Sequence, residues 1–323
     1  MNLLQKLFAG LLATAGLIVS MPAAAQSWPS KPVQLIVPQG AGGSTDALAR
    51  LLAPLLGERL GQTVVIDNRA GAGGVLGVST LAKAPADGYT LLFGSSTTVA
   101  ANAFLYASFP IDPLKDLVPL ALAADAPFVI VVPGSSPNKS LRELVATAKA
   151  SPGKLNHGFG TSSGLLCMEL LKSAAGIDIA KVPYKASAQA LTDLIGGQLD
   201  VVCEPLSTSA PNAKAGRLRI LAGTGTQRSS LAPELETVGE AGVKGMVFSA
   251  WVGFFAPAGV PRDISARLNR ELMAILRDTA VQDKMRALSW EPWPGDAEAL
   301  AELLRAEIKS IAATVKAAGI KAE

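Results

Sequence analysis

The 323-residue chain has a single histidine, His157, and only two cysteines, Cys167 and Cys203. Metal centres are built from Cys and His at ligand spacing, and no such cluster exists here, so neither a metal nor a cofactor is expected. Charge is scarce as well: 17% of residues are charged, with 29 basic against 26 acidic. No Lys/Arg block interleaved with aromatics occurs, which removes the electrostatic footprint of a nucleic-acid binder. A G-x-x-x-x-G-K-[ST] segment is missing too, and with it phosphate-loop nucleotide chemistry. Beyond the first residues, no apolar run is long enough to cross a bilayer.

What is present begins with Lys6, an apolar stretch over residues 7–19, and Ala23-Ala24-Ala25. That order reads as a secretory signal, cleaved after Ala25. No cysteine flanks the cleavage site, so no lipid anchor is indicated there. The remaining 298 residues carry 28 basic and 26 acidic groups and suit two modest domains better than one core. In an exported protein Cys167 and Cys203 could pair. Each also sits in an apolar run as a buried thiol would, and two unpaired thiols are the expectation.

Short β-branched runs alternate with helical patterns, the sequence form of α/β units with mainly parallel sheets. Strands are expected at 33–37, 64–67 and 89–93, with a helix over 45–60 that Gly61 stops and Pro54 should kink. A second series starts near Pro127: strands at 128–132, 155–159, 179–182, 201–203 and 219–222, and helices at 140–150, 164–175 and 187–195. Ser140 with Glu143 forms a capping box. After a strand at 248–255, two or three helices run to the end without a strand between them. The chain is therefore expected to build one lobe from residues 26–124 and 247–323 and a second from 125–246. Two crossings form a hinge that lets the lobes close over a ligand.

In such sheets ligands bind at the carboxyl ends of strands. Three loops there have suitable composition. Gly42, Gly43, Ser44, Thr45 and Asp46 open a helix, where close backbone approach, hydroxyls and free N–H groups suit an anion; a plain glycine turn capped by Ser44 or Thr45 is the simpler alternative. Ser95, Ser96 and Thr97 follow the third strand. Thr161, Ser162 and Ser163 join a strand to a helix in the second series. Residues 160–164 also match the G-x-S-x-G nucleophile elbow, which makes Ser162 the residue of an alternative reading as an exported serine hydrolase. The base is missing, because His157 precedes Ser162 on the incoming strand, so no catalytic residue is assigned. Residues 71–77 approach a dinucleotide fingerprint but place Leu76 where glycine is required, and read instead as a closely packed turn.

Several segments, taken in order, resemble the Bug family, the extracytoplasmic receptors of tripartite tricarboxylate transporters. They are Trp28-Pro29-Ser30-Lys31-Pro32, Gly42-Gly43-Ser44-Thr45-Asp46, Asp67-Asn68-Arg69-Ala70-Gly71, Asp87-Gly88-Tyr89-Thr90, Val182-Pro183-Tyr184-Lys185, Leu191-Thr192-Asp193-Leu194 and Phe255-Ala256-Pro257-Ala258-Gly259. The resemblance implies a type II periplasmic binding-protein fold, a periplasmic location and a monomer that delivers a small organic anion, a carboxylate or amino acid, to membrane transporter subunits. It also implies a carboxylate grip shared by the 42–46 loop and Thr161–Ser163. A sensor that signals to a membrane kinase would share these features. Departures fall at the pocket: Gln39 replaces an aromatic, Ala41 a proline, Gly164-Leu165 a Ser-His pair, Ala186 a glycine and Glu204 an aspartate. Glu204 would favour a ligand that also carries a donor group; a solvated carboxylate is the alternative.

Overall fold

The computed structural model describes residues 28–184, 187–248 and 250–317. The expected leader and its cleavage site lie outside them. The first strands are β1 (Val33–Val37), β2 (Val64–Asn68), β3 (Thr90–Ser95) and β4 (Leu117–Ala126). Next come β5 (Phe128–Pro133), β6 (Asn156–Phe159), β7 (Ala180–Pro183), β8 (Val201–Pro205) and β9 (Leu218–Gly223), then β10 (Ala250–Pro257) and β11 (Glu291–Gly295). The main helices are α1 (Ser44–Leu60), α2 (Val75–Ala82), α3 (Leu141–Ala150), α4 (Ser162–Ala175) and α5 (Ser187–Ile195). They continue with α6 (Leu206–Lys214), α7 (Arg262–Leu276), α8 (Thr279–Ala287) and α9 (Ala297–Ala317).

Two mixed sheets result. One has the order β11-β4-β10-β3-β1-β2 and the other β7-β6-β8-β5-β9. β1 runs parallel to β2 and β3, whereas β10 is antiparallel to β3 and β4. In the second sheet β6 is parallel to β7 and β8, and β5 is antiparallel to β8 and β9. The result is a two-lobed type II periplasmic binding-protein architecture, as expected.

Strand alternation explains the layering, because successive side chains point to opposite faces. On β1, Val33, Leu35 and Val37 join the core under α1 and α7, while Ile36 joins the opposite core. On β5, Phe128, Ile130 and Val132 belong to that second core, and Val129 and Val131 to a third beneath α5 and α6. One core is continuous through both lobes, since Ile36 and Leu92 share it with Ile130, Leu144 and Leu171. Only Pro127 separates β4 from β5. The returning crossing is stitched to the outgoing one by the fully buried Thr224, whose hydroxyl donates to the carbonyls of Phe128 (3.1 Å) and Phe248 (2.9 Å).

Local signals fared well where they were strong. Ser140 Oγ accepts from the Glu143 N–H, and Gly61 ends α1 at φ 74° with its N–H on the Gly57 carbonyl. α1 is continuous through Pro54. Four expectations need correction. The sheets are mixed rather than mainly parallel, because β5 and β10, the strands next to the two crossings, run antiparallel to both their neighbours. The terminal helices do enclose a strand, β11, which carries Pro292 and Pro294; as an edge strand it pairs on one side only, where proline is tolerated. β4, rich in alanine and leucine, and α6 had no counterpart in the sequence reading. Finally, Cys167 and Cys203 are joined in a disulfide, their Cα atoms 6.1 Å apart. The apolar surroundings of each thiol were correctly read; what sequence could not show is that α4 lies on β8 and brings them together. Among the described residues no helix is long and apolar enough to cross a membrane, and no group of His, Cys, Asp or Glu could hold a metal ion.

Candidate ligand-binding site

The loop between β1 and α1 is exposed from Gly40 to Ser44 and turns through Gly42 at φ 82°, a conformation that favours glycine. The helical ladder starts when Ala47 N–H donates to the Gly43 carbonyl (2.9 Å). The earlier N–H groups of Ser44, Thr45 and Asp46 therefore have no acceptor within the helix. The Asp46 side chain is turned inward. It is 2% exposed, and its carboxylate accepts from Gly42 N (2.8 Å), Arg50 Nε (2.9 Å) and Asn68 Nδ2 (2.9 Å). The Arg50 hydrogen bond, aided by Gly42 and Asn68, outweighs burial and holds the carboxyl down at about 2. Asn68 also donates to the Gln39 carbonyl (3.2 Å), so one anion braces both ends of the loop from beneath.

A second brace is steric. A Cβ on Gly74 would lie 2.6 Å from Thr98 Cγ2 and 3.1 Å from the Pro38 carbonyl; one on Gly77 would lie 2.7 Å from Pro38 Cβ. Residues 71–77 are thus the closely packed turn that sequence indicated. They set the first loop beside the hydroxyl run that follows β3. Within that run, Ser95 and Thr98 bind each other: Ser95 N–H donates to Thr98 Oγ1 (2.9 Å), and Thr98 N–H donates to Ser95 Oγ (3.3 Å). Ser95 and Ser96 are buried, and Thr97 is the partly exposed hydroxyl between them and Thr98.

Thr97 reaches the other lobe. Its Oγ1 lies 2.7 Å from Ser163 Oγ in the first turn of α4. That turn is capped by Thr161, whose Oγ1 accepts from Gly164 N–H (3.1 Å), and Ser162 stands beside it half-buried. A Cβ on Gly164 would lie 3.2 Å from the Cys203 carbonyl, so α4 begins directly on the end of β8. The next residue is Glu204, 3% exposed, with Ser187 at the start of α5 as its hydrogen-bond partner. Burial pushes its carboxyl up to about 7 against the opposing effect of Ser187. Thr97 thus touches the first turn of α4, while Glu204 alternates to the other face of β8 from Cys203 and meets the start of α5. The 42–46 loop lies at the end of β1, next to β3, and among the described residues no hydrogen bond joins it to the second lobe.

Arg50, Asn68 and Ser187 were not singled out from sequence. Asn68 and Ser187 act through partners distant in the chain, while Arg50 pairs with Asp46 one turn before it, an ordinary helix-surface spacing. Ser162 has no base: His157 is fully buried with Nε2 3.5 Å from Glu169 Oε1, and burial lowers its pKa. The carboxylate of Glu169 is in turn held by Lys172 Nζ at 2.9 Å.

Residues 48–320 match the model of the tripartite tricarboxylate transporter family receptor. The chain belongs to this family. Its members are binding receptors, and this receptor is not an enzyme. Protein BugT of Bordetella pertussis is 37% identical over 313 residues, covering 96% of this chain and 95% of BugT. The R. palustris protein Rpa4515, solved with adipate, is 37% identical with a TM-score of 0.78 over 92% of this chain and all of that one. MatC from Rhodopseudomonas palustris, solved with malate, is 30% identical with a TM-score of 0.74 over 89% of this chain and all of that one.

Proposed function

We propose that this receptor captures a small carboxylate between lobes formed by residues 26–124 with 247–323 and by residues 125–246. The observation that carries the reading is the Thr97–Ser163 contact, which joins a first-lobe strand end to a second-lobe helix start. On the first-lobe side, the neighbouring strand end offers the N–H groups of α1, the exposed glycines 42 and 43 and the hydroxyl of Ser44; on the second, α4 offers the hydroxyls of Ser162 and Ser163. Oriented N–H and hydroxyl donors bind an anion without a cationic side chain. Relatives solved with adipate and malate support a carboxylate as the anion. The protein acts as a monomer in the periplasm after removal of residues 1–25, and hands its ligand to membrane transporter subunits.

Calorimetric titration of the mature protein with a panel of mono- and dicarboxylates tests this. Saturable heat and a raised melting temperature are expected, because a ligand bound only to the folded state stabilises it. Thr97→Val and Ser163→Ala each weaken binding by roughly fivefold, about 1 kcal/mol per lost hydrogen bond. Silence across the whole panel overturns the reading.

A further inference from the structure

A cavity of about 710 Å³ lies on the hinge side of the molecule. None of the loops of the carboxylate site lines it. Its apolar walls come from both lobes: Leu166 and Leu170 of α4, Phe128 and Phe248 of the two crossings, and Leu303 and Ile311 of α9. The volume falls within the roughly 300–1,000 Å³ of small-molecule sites, which are mostly apolar with a few convergent polar groups. α4 thus serves two places, its first turn in the cleft and its next two turns here.

The polar groups of this cavity carry the opposite sign from those of the cleft. Glu307 projects from α9, and its carboxylate accepts a hydrogen bond from Trp251 Nε1. Asp125 of β4 adds a second carboxyl, close enough to raise the Glu307 pKa further. At the rim Glu291 of β11 is already occupied, accepting from Ser229 Oγ (2.8 Å), Ser230 N (2.8 Å) and Ser230 Oγ (2.7 Å). The cation among the lining residues, Arg228, pairs with Glu240 at 2.9 Å.

We propose that this cavity is a second ligand site, which takes a small organic cation: an amine or guanidinium on an aromatic or aliphatic body, its charge on Glu307. The apolar walls supply area for the body. Burial pushes Glu307 up to about 8, and a cation beside it would offset that cost and restore the ionised form. The site stands independently of the carboxylate reading, because it shares none of that site's proposed contacts.

The test is titration of the mature protein with phenethylamine and with 2-phenylethanol, which has the same body and no charge. Phenethylamine is expected to bind at one site and at least roughly tenfold tighter than the alcohol, the size of a charge-assisted hydrogen bond. Glu307→Gln, which keeps an acceptor for Trp251, removes that preference. Ala306→Trp, on a helix position exposed toward the cavity, abolishes binding of both compounds. A carboxylate titrated into the same variants reports the cleft separately. No heat from phenethylamine, or equal affinity for it in wild type and both variants, overturns the proposal.

Discussion

The two halves of the cleft are held in shape by different means. The first-lobe loop rests on a polar brace, with Asp46 binding Gly42, Arg50 and Asn68 while glycines 74 and 77 admit close backbone contact. The second-lobe side rests on a covalent one. Cys167, one turn after Ser163 in α4, is bonded to Cys203 in β8. An ionic brace depends on pH and tolerates small adjustments, whereas a disulfide restricts the unfolded chain and fixes α4 to its strand. The contrast makes the two sides respond differently to pH and to reduction.

The strongest break of this contrast is removal of the disulfide. Its loop spans 36 residues, so Cys167→Ala with Cys203→Ala should cost about 3–4 kcal/mol in chemical denaturation, with a similar loss on reduction of the wild type. Carboxylate affinity should fall as α4 loosens. Unchanged stability and affinity would remove the covalent brace from the account.

Next in size is the pH response of Glu204. Below pH 4.5 it is protonated in both states; between 4.5 and about 7 the unfolded chain releases its proton while the folded one retains it. The Glu204 contribution to stability therefore falls as pH rises through this window, by up to about 3 kcal/mol, and is level above it; Glu307 adds a fall of the same sign that continues to about 8. Glu204→Gln should make the slope in melting temperature shallower below pH 7 and leave the Glu307 part. Asp46 has the opposite sign, its contribution being lost as pH falls from 3.8 towards 2. A Glu204→Gln variant with the wild-type slope would place the titration elsewhere.

The smallest effect belongs to the ionic brace. Asp46→Ala leaves Gly42 N–H and Asn68 without their acceptor and should cost about 2 kcal/mol. Affinity should weaken with it, since the loop loses its support though no ligand contact is deleted. Asp46→Asn should recover part of both. If Asp46→Ala binds as tightly as wild type, the loop keeps its shape by glycine packing alone.

Sequence legibility followed the range of each interaction. β1, β5, α3 and the stop at Gly61 were readable because β-branched runs, capping and the left-handed glycine act within a few residues. β4 was obscured because its alanines and leucines carry no β-branched signal. β11 was obscured by two prolines that only an edge position tolerates. At the site, the Gly and Ser/Thr loops were legible as donors. Asp46 was legible as part of the loop but not as its prop, because Asn68, one of its partners, lies on another strand.

The amino-acid order by itself determined the strand and helix series, the donor-rich loops at strand ends, the lack of a catalytic base and the family resemblance, all of which are local patterns or counts. Tertiary structure decided that Cys167 meets Cys203, that Thr97 meets Ser163, and that two carboxyls share a cavity behind the hinge. Each of these joins residues at least 36 positions apart. Contacts at that range are set by how α4, β8 and α9 pack, which no short window of sequence encodes.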